Sequence, residues 1–193
     1  MTTATTASQR GTTNRRRGHQ AERDLARWLR THGFPHAERA VRTGFRANDR
    51  VSADPGDIDG TPGIVWSVKD CAVEQLAKWL AELAVMQAGA RAVHGLLVHK
   101  RRGHADPARW WCWLTLDDLV RLATDEPARH VSDVEAAQPV RIELGALTPL
   151  LRTAGWGEAP NGSESDDASD GSTDPPPNAV RPAAATLAGG DRP

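Results

Sequence analysis

The stretch "DIDGTPGIVWSVKD", residues 57–70, decides how the rest of the chain is read. Two acids, Asp57 and Asp59, precede a Gly/Pro turn, and a short β-branched run then ends on Lys69. Strand side chains alternate between faces, so Ile64, Trp66 and Val68 form one wholly apolar face, expected to enter the core. The other face carries Val65, Ser67 and Lys69, and brings a hydroxyl and an ammonium to within a turn of the two acids. A lysine facing carboxylates at a strand end suits phosphoryl chemistry, because it can stabilise developing phosphate charge or hold an attacking water. A neighbouring carboxylate would bind Mg²⁺, a hard cation that takes oxygen ligands and keeps several waters. Such a strand is expected to carry a carboxylate two residues before its lysine. Ser67 stands there instead.

Outward from this strand the pattern alternates between helix and strand. Ala21, Leu25, Trp28, Leu29 and His32 recur at helical spacing and predict a helix from Gly18 to His32, with Gly33 as its stop. Residues 36–45 are expected to form a strand and turn with Ala37, Arg39, Val41 and Thr43 on one face. Leu76, Trp79, Leu80, Leu83 and Met86 mark a second helix over residues 73–88. "AVHGLLVHK" and "ARWWCWLTL" predict strands, and Thr115 with Asp118 at capping-box spacing opens another helix. "PVRIELGALTPLLRTAG" reads as a strand followed by a short helix from Thr148–Pro149. The expected fold class is α/β, a single domain with a central mixed β-sheet flanked by helices.

The 193 residues carry 24 Lys+Arg against 25 Asp+Glu, a formal net charge of -1 that conceals a gradient. Residues 1–50 hold 11 Arg and only 4 acids, whereas residues 151–193 hold 3 Arg and 7 acids. A basic N-terminal quarter points to a polyanionic partner. Cys71 and Cys112 form no CxxC pair, so a reducing compartment is the natural expectation. The N-terminus has no apolar core of the secretory kind, and no apolar run reaches membrane-spanning length. The expected localisation is cytoplasmic, prokaryotic or phage-encoded, with no membrane partner. Disordered tails are expected over residues 1–14 and 158–193, the latter acidic and Pro-rich, around a domain at 15–123 and a C-terminal extension at 124–157.

The run "GDIDG…VWSVKD" resembles the PD-(D/E)XK nuclease superfamily, and within it the Holliday-junction-resolvase-like proteins of archaea and phages. That family places a glutamate on the first helix, then an aspartate, then an acid-x-lysine on the next strand. The matching positions are Glu22, Asp57 and Lys69, and the resemblance runs from about Gly18 to Leu122. It implies a restriction-endonuclease-like fold, Mg²⁺-dependent hydrolysis of DNA phosphodiesters (Mn²⁺ as substitute), branched DNA as substrate and a two-fold homodimer. Ser67 departs from the pattern. Some restriction-enzyme branches have Ser-x-Lys on the strand and a glutamate on the following helix, and Glu82, thirteen residues after Lys69, resembles that displaced ligand. On this resemblance Asp57 and Glu82 would bind metal, Lys69 would position water or phosphate, Glu22 would support either, and Ser67 would add a hydrogen bond.

Each assignment has a plainer alternative. Glu22 faces inward with Leu25, Ala26 and Leu29, and an arginine partner would equally account for an acid there. Glu82 is also placed to pair with Lys78 at i, i+4. Asp70 points to the opposite strand face, and Glu74 falls on the far side of the second helix. Three basic runs bracket the strand, and their Arg15, Arg16, Arg17, Arg42, Arg46, Lys100, Arg101 and Arg102 are candidate phosphate contacts. Trp111 and Trp113 share a strand face where core packing is the expected role. No HExxH, GxSxG, SxxK or Walker motif occurs, which argues against zinc hydrolysis, serine hydrolysis and nucleotide use. A catalytically inactive DNA-binding module of the same fold, or a restriction or repair nuclease, are the competing readings.

Overall fold

The computed structural model describes residues 7–41, 56–124 and 132–158. Four strands form a mixed sheet: β3 (Ile64–Lys69), β4 (His94–His99), β5 (Trp111–Thr115) and β6 (Pro139–Glu143), in the order β3-β4-β5-β6. β3 and β4 are parallel, joined through helix α2 (Leu76–Ala90), and the other two pairings are antiparallel. A two-residue antiparallel pair, β1 (Glu38–Arg39) with β2 (Ile58–Asp59), lies beside the outer edge of β3.

The two faces of the strands go where alternation requires. Ile64, Trp66, Val68, Leu96, Val98, Cys112 and Leu114 pack into one core with helices α1 (Ala7–Arg30), α3 (Leu116–Thr124) and α5 (Leu144–Thr153), whose Leu25, Leu29, Leu122, Leu144, Leu147 and Leu151 are buried. Val65 and Leu97, on the opposite face, pack against Trp79 and Leu83 of α2. A short helix α4 (Asp133–Ala136) carries a complete capping box between Ser132 and Glu135.

Several expectations are corrected by packing. α1 begins at Ala7 rather than Gly18, so the arm expected over residues 1–14 is helical from Ala7 on; its residues 11–17 are exposed. No proline interrupts them, and the anchored part of the helix supplies the costly nucleus from which they extend. The strand expected at 36–45 shrinks to Glu38–Arg39 among the described residues, and Arg42 and Arg46 lie outside them. α2 starts at Leu76 rather than residue 73. α5 starts at Leu144, not Thr148, because Leu144, Leu147 and Leu151 make one buried stripe that outweighs the interior Pro149. The segment expected as an extension beyond residue 123 supplies β6 and α5, and is part of the same core.

The His94–Asp118 contact ties β4 to α3. His94 Nδ1 lies 2.7 Å from Asp118 Oδ1, and Thr115 Oγ1 donates to Asp118 Oδ2 at 2.7 Å while accepting from the Asp118 N–H at 3.0 Å. Both His94 and Asp118 are buried.

Candidate active site

Four elements, α1, β1, β3 and α2, converge with the segment before β2 at the carboxyl end of β3. The cleft there, ≈ 720 Å³, is lined by His19 and Glu22 of α1, Arg39 of β1, Ala40, Asp57, Ser67 and Lys69 with Val68 between them, and Glu82, Val85 and Met86 of α2. All five candidate residues, Glu22, Asp57, Ser67, Lys69 and Glu82, therefore line one cavity although up to 60 positions separate them in the chain.

Asp57 is fixed more tightly than a loop residue needs to be. Its N–H donates to the Trp66 carbonyl at 2.8 Å, its carbonyl accepts from the Ala40 N–H at 3.0 Å, and its Oδ2 accepts from the Val68 N–H at 2.7 Å. β3 is an edge strand of the four-stranded sheet, so its outward N–H and C=O groups need partners, and Asp57 provides two of them. Gly56 permits this approach. Its φ is +94°, and a Cβ there would stand 2.7 Å from the Trp66 carbonyl oxygen. Gly60, at φ +78°, closes the same turn, where a Cβ would overlap the His36 carbonyl.

The charged groups are arranged in pairs. Arg39 Nε donates to Glu22 Oε2 at 2.6 Å, with both side chains largely buried. Lys69 Nζ donates to Glu82 Oε2 at 3.1 Å, while Lys78 stands 3.9 Å from Glu82 Oε1. Both readings of Glu82 are thus realised in part, and the shorter contact is the one into the cleft. Glu22 likewise has an arginine partner and a place in the cleft. Asp70 pairs with Arg17 at 3.0 Å and Glu74 faces His99 Nδ1 at 3.9 Å; neither lines the cleft.

Ser67 is the exception to this pairing. It is 1 % exposed, and its Oγ has no hydrogen-bond partner among the described residues. A buried hydroxyl without a partner is costly, and an orphan aimed into a polar cleft fits a ligand group as its missing partner. The donor set suits a hard divalent cation in kind, being carboxylate and hydroxyl oxygen throughout. Among the described residues, no three His, Cys, Asp or Glu side chains stand close enough together to share one ion as folded. Glu22 and Glu82 are engaged by cations instead.

Local sequence pattern gives no sign that His19 or Arg39 reaches the cleft. His19 stands three residues before Glu22 on the same helix, which places both on one face; Arg39 reaches the cleft only because β1 pairs with β2.

Two grooves continue from the cleft. One shares Val68 and Lys69 with it and adds Asn14, Arg17, Asp70 and Arg102; the next shares Arg17, Asp70 and Arg102 and adds Gln20, Lys100 and Arg101. Arg15, Arg16 and Arg102 are exposed and make no ion pair among the described residues. Lys100 lies 3.6 Å from Asp24, and Arg101 3.3 Å from Glu143. Compared with known proteins, the chain matches no family model, no curated protein and no solved structure.

Proposed function

We propose that this chain is a divalent-metal-dependent endodeoxyribonuclease of restriction-endonuclease-like fold, acting on branched or otherwise structured DNA as a homodimer in the manner of Holliday-junction resolvases. The observation that carries the reading is the convergence of Glu22, Asp57, Ser67, Lys69 and Glu82 on one cleft at the end of β3. The basic grooves that share lining residues with that cleft support it, because Arg17, Lys100, Arg101 and Arg102 line them and offer a phosphate backbone a path past Lys69.

Asp57 and Glu82 would hold the Mg²⁺ ion, which supplies charge neutralisation and an acidified water when bound. The chain's own residues do the rest. Lys69 turns from Glu82 to the scissile phosphate and steadies its developing charge. Arg39, released from Glu22, is a second cation within reach of the same phosphate. Glu22 then accepts a proton from, or orients, the attacking water. Ser67 Oγ donates to an oxygen in the cleft.

The test is incubation of the purified protein with a labelled four-way junction and with matching linear duplex, in Mg²⁺ and in EDTA. Metal-dependent nicking of the junction supports the proposal. Binding without cleavage in Mg²⁺ and Mn²⁺ favours the second reading, a DNA-binding module with no metal chemistry. The ion-paired state of Glu22 and Glu82 is the observation in favour of that reading.

A further inference from the structure

The outer face of β5 and β6 has no use in the cleft chemistry. α2 covers β3 and β4 on this side of the sheet, and Trp113 only meets the margin of that cluster. The expected core role of Trp111 and Trp113 is met in part: Trp113 packs against the α2 cluster with its Nε1 buried, and Trp111 is half-buried, whereas Trp110 is fully buried. Guanidinium groups lie against them. Arg141, the cross-strand partner of Trp113, stands 4.6 Å from the Trp111 ring and 5.3 Å from the Trp113 ring, and Arg101 also stands 4.6 Å from the Trp111 ring.

The Arg141 guanidinium lies against both indoles, so the three side chains form one cation–π cluster, and aromatic rings and guanidinium planes are the groups on which unpaired bases stack. The charge of the face is positive. Glu143 is its acid, and it is already met by Arg101 and Arg109 at 3.3 Å each. Arg141 is exposed and has no carboxylate partner among the described residues. Arg101 also lines the basic groove that leads back to Lys69, which makes this face the far end of the same path.

We infer that the Trp111–Arg141–Trp113 face binds unpaired nucleotides of a DNA strand, with bases against the indoles and phosphates on Arg101 and Arg141. The inference rests on the nuclease reading and adds to it a substrate with single-stranded character beside the cut. Duplex DNA turns its bases inward and offers this face only phosphates, whereas an unpaired base offers a π-surface.

The experiment measures binding in EDTA, where no cleavage occurs, of labelled oligothymidylate and of blunt duplex to the wild-type protein, Arg141→Glu and Trp111→Leu. Arg141 is exposed, so its variant keeps the fold, which circular dichroism checks. Base–aromatic stacking is worth ~1–3 kcal/mol per base, so Trp111→Leu is expected to lose about tenfold or more in oligothymidylate affinity with duplex affinity changed less than about twofold, whereas Arg141→Glu, which also removes a phosphate contact, is expected to weaken both, oligothymidylate the more. Unchanged oligothymidylate binding in both variants, with duplex binding intact, overturns this inference and leaves the nuclease reading standing. Competition by polyglutamate as strong as by oligothymidylate also overturns it, since charge alone would then explain the face. Wild-type protein that binds neither DNA removes both.

Discussion

Replacing Ser67 with alanine separates folding from function at the position where the sequence departs from its expected pattern. In the fold the hydroxyl is 1 % exposed and has no partner among the described residues. An unpaired buried hydroxyl costs ~1–3 kcal/mol in protein mutational data. Alanine keeps the Cβ and removes one oxygen, leaving a void smaller than a methyl group, for which a loss of up to about 1 kcal/mol is reasonable. The net expectation is a gain of about 1 kcal/mol. With m for urea near 2 kcal/mol/M, the midpoint should rise by about 0.5 M at unchanged slope. In the junction assay the same variant should cleave about tenfold more slowly, the loss of one hydrogen bond of ~1.4 kcal/mol made to a bound group. A midpoint that falls by a similar amount would refute the reasoning, since it would show that the hydroxyl is satisfied within the fold. Undiminished cleavage would remove Ser67 from the site.

Asp57→Asn should abolish cleavage while keeping an acceptor for the Val68 N–H, whereas Asp57→Ala should also cost about 1–3 kcal/mol in urea unfolding because that edge N–H loses its partner. Lys69→Ala should abolish cleavage with the fold intact by circular dichroism; Glu82→Gln should do the same, and Glu74→Gln, outside the cleft, should cleave normally. Asp118→Ala removes the acceptor of both His94 and Thr115 and should destabilise the protein by about 1–3 kcal/mol for each buried group left unpaired, in the same unfolding assay. Burial pushes the Cys112 thiol far above the ordinary cysteine range, so iodoacetamide should label exposed Cys71 alone until urea unfolds the chain. Because the native thiol keeps its proton after the unfolded one, with its ordinary value near 8.5, has lost it, Cys112 should make stability fall as pH rises above about 8.5. Cys112→Ser should flatten that fall.

Much of this arrangement was legible in short-range pattern. Alternation along 64–69 assigned Ile64, Trp66 and Val68 to the core and Ser67 and Lys69 to the cleft, and the stripe through Trp79 and Leu83 found the helix that covers them. The Thr115 cap was readable from its spacing to Asp118. What local pattern does not encode is strand order. Asp57 doubles as a partner for the outer edge of β3, and only the position of β3 at the end of the sheet creates that need. The same applies to Trp111 and Trp113: alternation put them on one face, but the number of helices on that face decided how far they were buried. The place of Arg39 in the cleft is not written in local pattern, because it depends on a two-residue pairing with Ile58 across a long connection.

The ion pairs at the mouth of β3 also set the order in which partners can arrive. Three carboxylates, Glu22, Asp57 and Glu82, stand with two cations, Arg39 and Lys69, leaving a single formal negative charge in the cleft. A bare carboxylate about 5 Å from an incoming phosphate would repel it by ~3 kcal/mol at an effective dielectric constant of 20, and three would do so together. Paired as they are, Glu22 and Glu82 present dipoles whose fields fade within a few ångströms. A polyanion can therefore enter this cleft before any metal has neutralised it. On the proposed nuclease reading, the exchange of partners follows with the strand already in place.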